Sequence, residues 1–440
     1  MSAPVYRITT MLSSVLRSVP IGTNLALFHL LWTLLSGRLL ASRGALFSAL
    51  ADTGLPEPAV RRAWAALASG HWEINALLTR WHRLVRAEGH WQPRCHGGYR
   101  PVAADLVGFF RPRLADCPTR HYSAPAGKAL PAIPFGMLTR IGAVGEQRLP
   151  LPVRLLRAAG DDPSEAALQQ RLVREAAALL APAEVLVVDG GFPLSLLLSL
   201  GVPRFVVRLP KNFTARRATL PAYQGHGRPP EYGELVRPLA RHYKERLIPA
   251  TPPDREEPVL VDGYLVRVQY WEGLVLAEAK PGAPTFTCLV VHDPRYTEPL
   301  VLATPLPASG AAIYALYRDR WPIEQWPLVS KQLLGAVRQF VFAPESRQRL
   351  PELALLAGAI LSYVAATAPA VPTGFWDRRP RATAGRLRRA LARVDFRELA
   401  ALPPHFRKKA TVSEHLPKGV CGHRRQKRRR QGEEALPLAA

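Results

Sequence analysis

The segment YRDRWPIEQWPLVSK, residues 317–331, carries Tyr317, Arg320, Glu324 and Lys331 at the spacing Y-x2-R-x3-E-x6-K. Residues three, four and seven apart share one face of an α-helix. The spacing therefore predicts a single helical stripe holding one carboxylate between two cations and a phenol. A carboxylate can ligate a hard cation, and the flanking donors can grip phosphates. Cutting or joining nucleic acid is the chemistry such a face suits. The same residue types also make an ordinary solvated face with i,i+4 ion pairs. Further carboxylates converging on Glu324 would separate the two readings.

The elements that must position this stripe belong to a chain of 440 residues, 48% of them hydrophobic, with a formal net charge of +25. That length allows two or three domains. The charge implies a polyanionic partner, DNA or RNA. Part of it is concentrated in His423-Arg424-Arg425-Gln426-Lys427-Arg428-Arg429-Arg430. This run is either a non-specific phosphate binder or a basic extension with no specific role. Cys95, Cys117, Cys288 and Cys421 form no CxxC pair, which argues against structural zinc and against a disulfide framework. A reducing cytoplasm is expected, with the protein on nucleoid DNA. The apolar run Leu25–Leu35 contains His29, is too short to span a bilayer and reads as a buried helix rather than a signal peptide. No membrane association is expected.

Residues 1–95 read as a helical N-terminal domain. Within it, 42–67 resembles a helix-turn-helix: one helix ends near Asp52, Thr53-Gly54 turns, and Pro58 opens the next helix. That second helix would present Arg61 and Arg62 to DNA; two small structural helices fit the pattern equally well. Residues 96–212 read as a mixed α/β unit. Its strands are predicted at 99–110, 138–144, 149–157, 184–192 and 204–212, with helices at 164–181, N-capped by Ser164, and at 193–200. Residues 213–310 form a β-rich insertion, with strands at 258–271, 273–280, 286–293 and 300–306. Residues 311–400 return to helix, at 311–343, 349–369 and 382–395. The basic tail, 401–440, reads as disordered.

Phosphodiester chemistry with two divalent cations needs carboxylates that converge. Asp189 closes the buried run Val185–Val188 and precedes Gly190-Gly191. A ligand at the carboxyl edge of a sheet fits that position, and so does a turn-forming aspartate. Asp105 follows Val102-Ala103-Ala104 in the first strand; Asp116, in a loop between Pro112 and Pro118, is its competitor.

Asp105, Asp189 and Glu324 together resemble the D-D-E triad of the DDE transposases of bacterial insertion sequences, in the group with the Y-x2-R-x3-E-x6-K signature. Tyr317, Arg320, Glu324 and Lys331 complete that signature. The resemblance covers roughly residues 99–343. It implies an RNase H-like mixed sheet flanked by helices. The first Asp would lie on the first core strand, the second after the fourth, and the Glu on a late helix behind a β-rich insertion. It implies two Mg²⁺ or Mn²⁺ ions held by Asp105, Asp189 and Glu324. Water activated at one ion would cut the transposon end, and the freed 3′-hydroxyl would attack target DNA. Tyr317, Arg320 and Lys331 would grip phosphates of double-stranded DNA, and a homodimer would hold the paired ends. Some relatives stack a flipped base on an aromatic ring of the insertion; Trp271 is the candidate here, unless it packs in the sheet. Arg208 and Lys211, at the exit of the fifth strand, either contact the DNA backbone or are structural. Two other functions stay open: an RNase H-like nuclease that cuts without joining, and a decayed DNA-binding protein without catalysis.

Overall fold

Apolar residues at helical spacing build six helices before the first strand. They are α1 (Ala3–Leu16), α2 (Thr23–Leu35), α3 (Arg38–Ala41), α4 (Leu46–Ala51), α5 (Glu57–Ser69) and α6 (Ile74–Glu88). The computed structural model describes residues 3–115, 117–158, 160, 164–223, 225–280, 282–396, 402–403 and 405–407. Asp116 and the 408–440 stretch with its basic run lie outside the described residues. Residues 42–67 fold as expected. Helix α4 stops before a turn in which Gly54 has φ 80°, and α5 opens with Pro58 in its first turn.

The chain then lays down β1 (Gln92–Pro93), β2 (Arg100–Phe110), β3 (Arg120–Ser123), β4 (Lys128–Val144) and β5 (Gln147–Arg157). Helix α7 (Glu165–Leu179) follows, and Ser164 Oγ accepts the Ala167 N–H at 3.1 Å as its N-cap. Next come β6 (Glu184–Val188), α8 (Leu194–Ser199) and β7 (Phe205–Arg208). Strand β2 pairs antiparallel with β4 and parallel with β6, β4 pairs with β5, and β6 runs parallel to β7. The result is a mixed sheet flanked by helices. Strand β4 starts ten residues before the predicted edge, through Pro131, Pro134 and Gly136, residues that normally demote a strand.

Residues 213–310 contribute β8 (Ala215–Arg217), β9 (Leu235–Val236), β10 (Arg241–Tyr243), β11 (Arg246–Ile248), β12 (Arg255–Val261), β13 (Tyr264–Leu276), β14 (Phe286–His292) and β15 (Leu300–Thr304). Most of them extend the same sheet, because β15 pairs with β7 and then with β14. The single strand expected at 258–271 is a hairpin. Asp262 and Gly263, at φ 51° and 81°, turn the chain between β12 and β13; an Asp-Gly pair is the usual sequence for such a turn.

The helix expected over 311–343 is broken. Helix α9 (Gly310–Arg318) ends at a turn, and α10 (Pro322–Leu328) begins with Pro322 at its first position. Pro322 has no N–H to donate to the carbonyl four residues back and favours a first-turn position, so a break is favoured here. Pro327 repeats the interruption inside α10, and the chain widens into a π-helical turn over Val329–Leu333. Residues 334–343 are not helical. Helices α11 (Pro344–Thr367) and α12 (Ala384–Leu391) follow.

One face of β2, through Ala103, Val107 and Phe109, packs in a core with the N-terminal helices, α10 and α11. The opposite face, through Val102 and Ala104, packs on α7. Helix α9 covers Val185, Val187 and Val206 of β6 and β7. Although α11 is long and apolar enough to cross a membrane, it lies mostly buried in the first core. Each of its buried leucines contributes about 1.5–3 kcal/mol relative to exposure.

Candidate active site

The first two carboxylates belong to neighbouring chain segments. Ala103 of β2 is the partner of Val187 of parallel β6. The pairing stops there and β6 ends at Val188; Asp105 and Asp189 follow in the two chain segments, near enough for the Asp189 charge to act on Asp105. Asp105 is confined in mid-strand, with Oδ1 accepting the Leu106 N–H at 2.8 Å. Asp189 sits past the end of β6. Its Oδ1 accepts the Gly191 N–H at 3.0 Å, so it also forms the turn that sequence reading offered as its alternative role.

Glu324 arrives on α10. Arg320 Nη2 donates to Glu324 Oε1 at 2.5 Å, and Arg320 Nη1 lies 3.8 Å from Asp105 Oδ2. Burial raises the Asp105 pKa to about 6; the charges of Asp189 and Glu324 push the same way, and Arg320 opposes them. The three acids therefore share one electrostatic site. Burial works against the Arg320 charge, but Tyr317, Glu324 and Asp105 outweigh it and hold its pKa above the ordinary value.

Breaking the predicted helix does not scatter the motif. Tyr317 ends up with its ring 5.9 Å from the Arg320 guanidinium carbon. Burial lifts the Tyr317 hydroxyl pKa, and the nearby Arg320 and Arg208 charges lower it. Lys331, on the π turn, lies 5.2 Å over the Phe109 ring of β2. Its pKa falls to about 8 because it is buried, and the Asp105 charge partly restores it. Helix α11 fixes this turn. Trp326 Nε1 donates to Leu355 O at 2.7 Å, Ser330 Oγ donates to Trp326 O at 3.1 Å, and a Cβ on Gly358 would lie 2.4 Å from Ser330 Oγ.

Beside the carboxylates opens a cleft of about 730 Å³, lined by Arg148, Arg208, Arg295, Tyr296, Arg318 and Trp321 together with Tyr317 and Arg320. Arg208 is exposed at its edge. Sequence reading missed Arg148, Arg295, Arg318 and Trp321. Arg318 and Trp321 lie inside the motif segment and could have been singled out, whereas nothing local marks Arg148. Lys211 pairs with Glu298 rather than pointing free. Arg61 and Arg62 are exposed on α5; Arg61 is held by Glu57 at 2.6 Å, and α5 packs on α2, α4 and α11, not on the carboxylates.

Of the two roles open to Trp271, the structure shows packing in the sheet. The residue is 1% exposed in the core shared with α7, and its Nε1 donates to Thr251 O at 3.1 Å. Strand β13 is covered on both faces, so the ring packs the sheet and offers no surface to a base.

Three carboxylates make an all-oxygen donor set of the kind Mg²⁺ and Mn²⁺ prefer, and the crowding on Asp105 is the charge a cation would relieve. Yet among the described residues no three His, Cys, Asp or Glu side chains lie close enough together to hold an ion. Arg320 pairs with Glu324 and faces Asp105. No known protein family matches this chain, and no curated protein matches it either.

Proposed function

We propose that this protein is a DNA transposase of the DDE type, cleaving transposon ends and joining the 3′-hydroxyl to target DNA, on an RNase H-like core. One observation carries the reading. Asp105 on β2 and Asp189 just past the end of neighbouring parallel β6 are near enough to interact, and Glu324 of the Y-x2-R-x3-E-x6-K motif acts on the same Asp105 charge, which supports the reading. Strand β2 is the first long strand of the sheet, β6 the fourth after β4 and β5, and α10 follows the β-rich stretch. This order of elements supports the transposase reading. The basic, aromatic cleft alongside supports a nucleic-acid strand as substrate.

In this reading Asp105, Asp189 and Glu324 would hold two Mg²⁺ or Mn²⁺ ions, and the ions would supply activation of the attacking oxygen and stabilisation of the leaving oxygen. Arg320 and Arg208 bind phosphate oxygens and orient the strand. Tyr317 stacks its ring against Arg320 and fixes the guanidinium plane. Lys331 brings a partly desolvated cation to the Asp105 side of the site. The buried strand face behind Asp105 keeps bulk water out.

Asp189→Asn and Glu324→Gln test the assignment on DNA flanking the gene. Each should lose at least about a hundredfold in cleavage rate, the scale on which removing a group that stabilises transition-state charge acts, while still shifting the DNA in a binding assay. Parental cleavage by either variant would refute the site.

A further inference from the structure

The segment from Val371 to Phe396 holds seven arginines and two aspartates. Both acids are spent. Asp377 pairs with Arg386 and accepts the Thr373 N–H and hydroxyl, each at 3.0 Å, and Asp395 packs against Gly54 of the N-terminal helices. Arg378, Arg379, Arg381, Arg389 and Arg393 are exposed, and among the described residues none of their side chains is in an ion pair. Helix α12 sorts the charge by face. Leu387 and Leu391 are buried in the core, while Arg386, Arg389 and Arg393 line a shallow cleft of about 280 Å³ together with Val371, Pro372 and Thr373. Arg388 adds to the crowding: burial and the Arg389 charge lower its pKa, and its Nε is buried without a hydrogen-bond partner. Like charges this dense repel one another and favour a polyanion beside them.

Next to these arginines stand Phe375 and Trp376, 94% and 68% exposed, with ring centroids 5.1 Å apart. Single exposed aromatics are ordinary, but this adjacent pair is presented by a loop that Asp377 ties to α12. The arginines also continue from the active-site cleft. Arg148 and Trp321 line both that cleft and an adjoining pocket of about 500 Å³, which Ala382, Thr383 and Ala384 line as well, next to Arg381.

We propose that α12 and the loop before it form a second binding surface for duplex DNA, outside the carboxylate site. The exposed arginines contact backbone phosphates, and Phe375 and Trp376 add apolar contact with sugars and bases. Contacts of this kind hold a duplex without reading its sequence. A lipid surface fits less well, because an interfacial helix needs a free apolar face and α12 spends its own in the core. The inference does not rest on the transposase reading, since the surface would hold a duplex whether or not the carboxylates cut it.

The test is fluorescence anisotropy of the full chain on a labelled duplex of arbitrary sequence, over a range of salt concentrations. Arg389→Gln combined with Arg393→Gln should lower the slope of log K against log salt by about 2, one for each phosphate contact. Arg389→Lys with Arg393→Lys keeps both charges and should keep the slope. Trp376→Ala should weaken binding and leave the slope unchanged, because an apolar contact releases no counterions. The control is Arg120→Gln with Arg246→Gln, two exposed arginines of β3 and β11. Equal slopes for wild type and the first double variant would overturn the proposal. So would the same loss in the control, which would trace the effect to net charge alone, and so would the same loss in the lysine variant, which would trace it to local disruption. Parental affinity of Trp376→Ala would contradict the role of the aromatic pair. Phosphatidylserine vesicles, read by co-sedimentation, should bind wild type and the glutamine variant equally. Loss of vesicle binding with an unchanged DNA slope would assign the surface to lipid instead.

Discussion

Asp105 is the residue on which the electrostatics of the site converge. Its pKa of about 6 in the fold lies above the 3.8 of an ordinary aspartate, because burial and two neighbouring acids disfavour its charge. The sign follows: the fold prefers the protonated form. The stability Asp105 contributes is complete below pH 4 and is lost as pH rises through 6. By linkage the loss at neutral pH is about 3 kcal/mol in the absence of a cation. Asp105→Asn, a neutral isostere, should therefore raise the Tm of metal-free protein at pH 7.5 and leave it unchanged at pH 4. An unchanged Tm at pH 7.5 would mean that burial and the neighbouring acids do not disfavour the Asp105 charge. In the sequence Asp105 was only one of two candidates, beside Asp116, because its flanking residues are not diagnostic. The role of Trp271 was not legible. An aromatic in a strand reads the same whether its face is open or covered, and here neighbouring Tyr270 and Trp271 are buried on opposite faces.

At the scale of elements, two prolines decide the geometry. The spacing of Tyr317, Arg320, Glu324 and Lys331 was read as one helix, but Pro322 starts a new helix and Pro327 opens a π turn. Periodicity finds a shared face and is blind to the break, although both prolines are plain in the sequence. The motif residues still meet, because α11 anchors α10 and the π turn through Leu355 and Gly358. Gly358→Ala would push a methyl against Ser330 Oγ in a fully buried contact. It should cost about 1–3 kcal/mol of stability and slow cleavage further by moving Lys331. Thermal unfolding beside cleavage rates checks both effects; wild-type values for each would show that α11 does not position the site. The Asp262-Gly263 turn was likewise present in the sequence and was passed over because the strand alternation on both sides is unbroken.

For the whole molecule, long-range pairing was the illegible part. The strands of 213–310 were expected as an insertion, and local sequence gives no hint that β15 would continue the sheet from β7. Through that junction the cleft gains Arg295 and Tyr296 from the loop between β14 and β15 and Arg208 from the end of β7. The net charge of +25 predicted a polyanion; in the cleft Arg148, Arg295 and Arg318 are paired with Asp319, Asp293 and Asp262, and Arg208 is exposed at the edge. Arg208→Ala should weaken DNA binding and lower the slope of log K against log salt by about 1, the change for one phosphate contact. Lys211→Ala, already neutralised by Glu298, should change the slope little. Equal effects of the two would place the strand elsewhere.

The most direct test of the central claim is Mg²⁺-dependent cleavage and joining on DNA carrying the ends that flank the gene, with wild type beside Glu324→Gln. The transposase account predicts cut ends joined to target DNA by wild type alone, with both proteins binding the ends. Cutting without joining would make the protein a nuclease, and binding without chemistry in either protein would contradict a catalytic role for Asp105, Asp189 and Glu324.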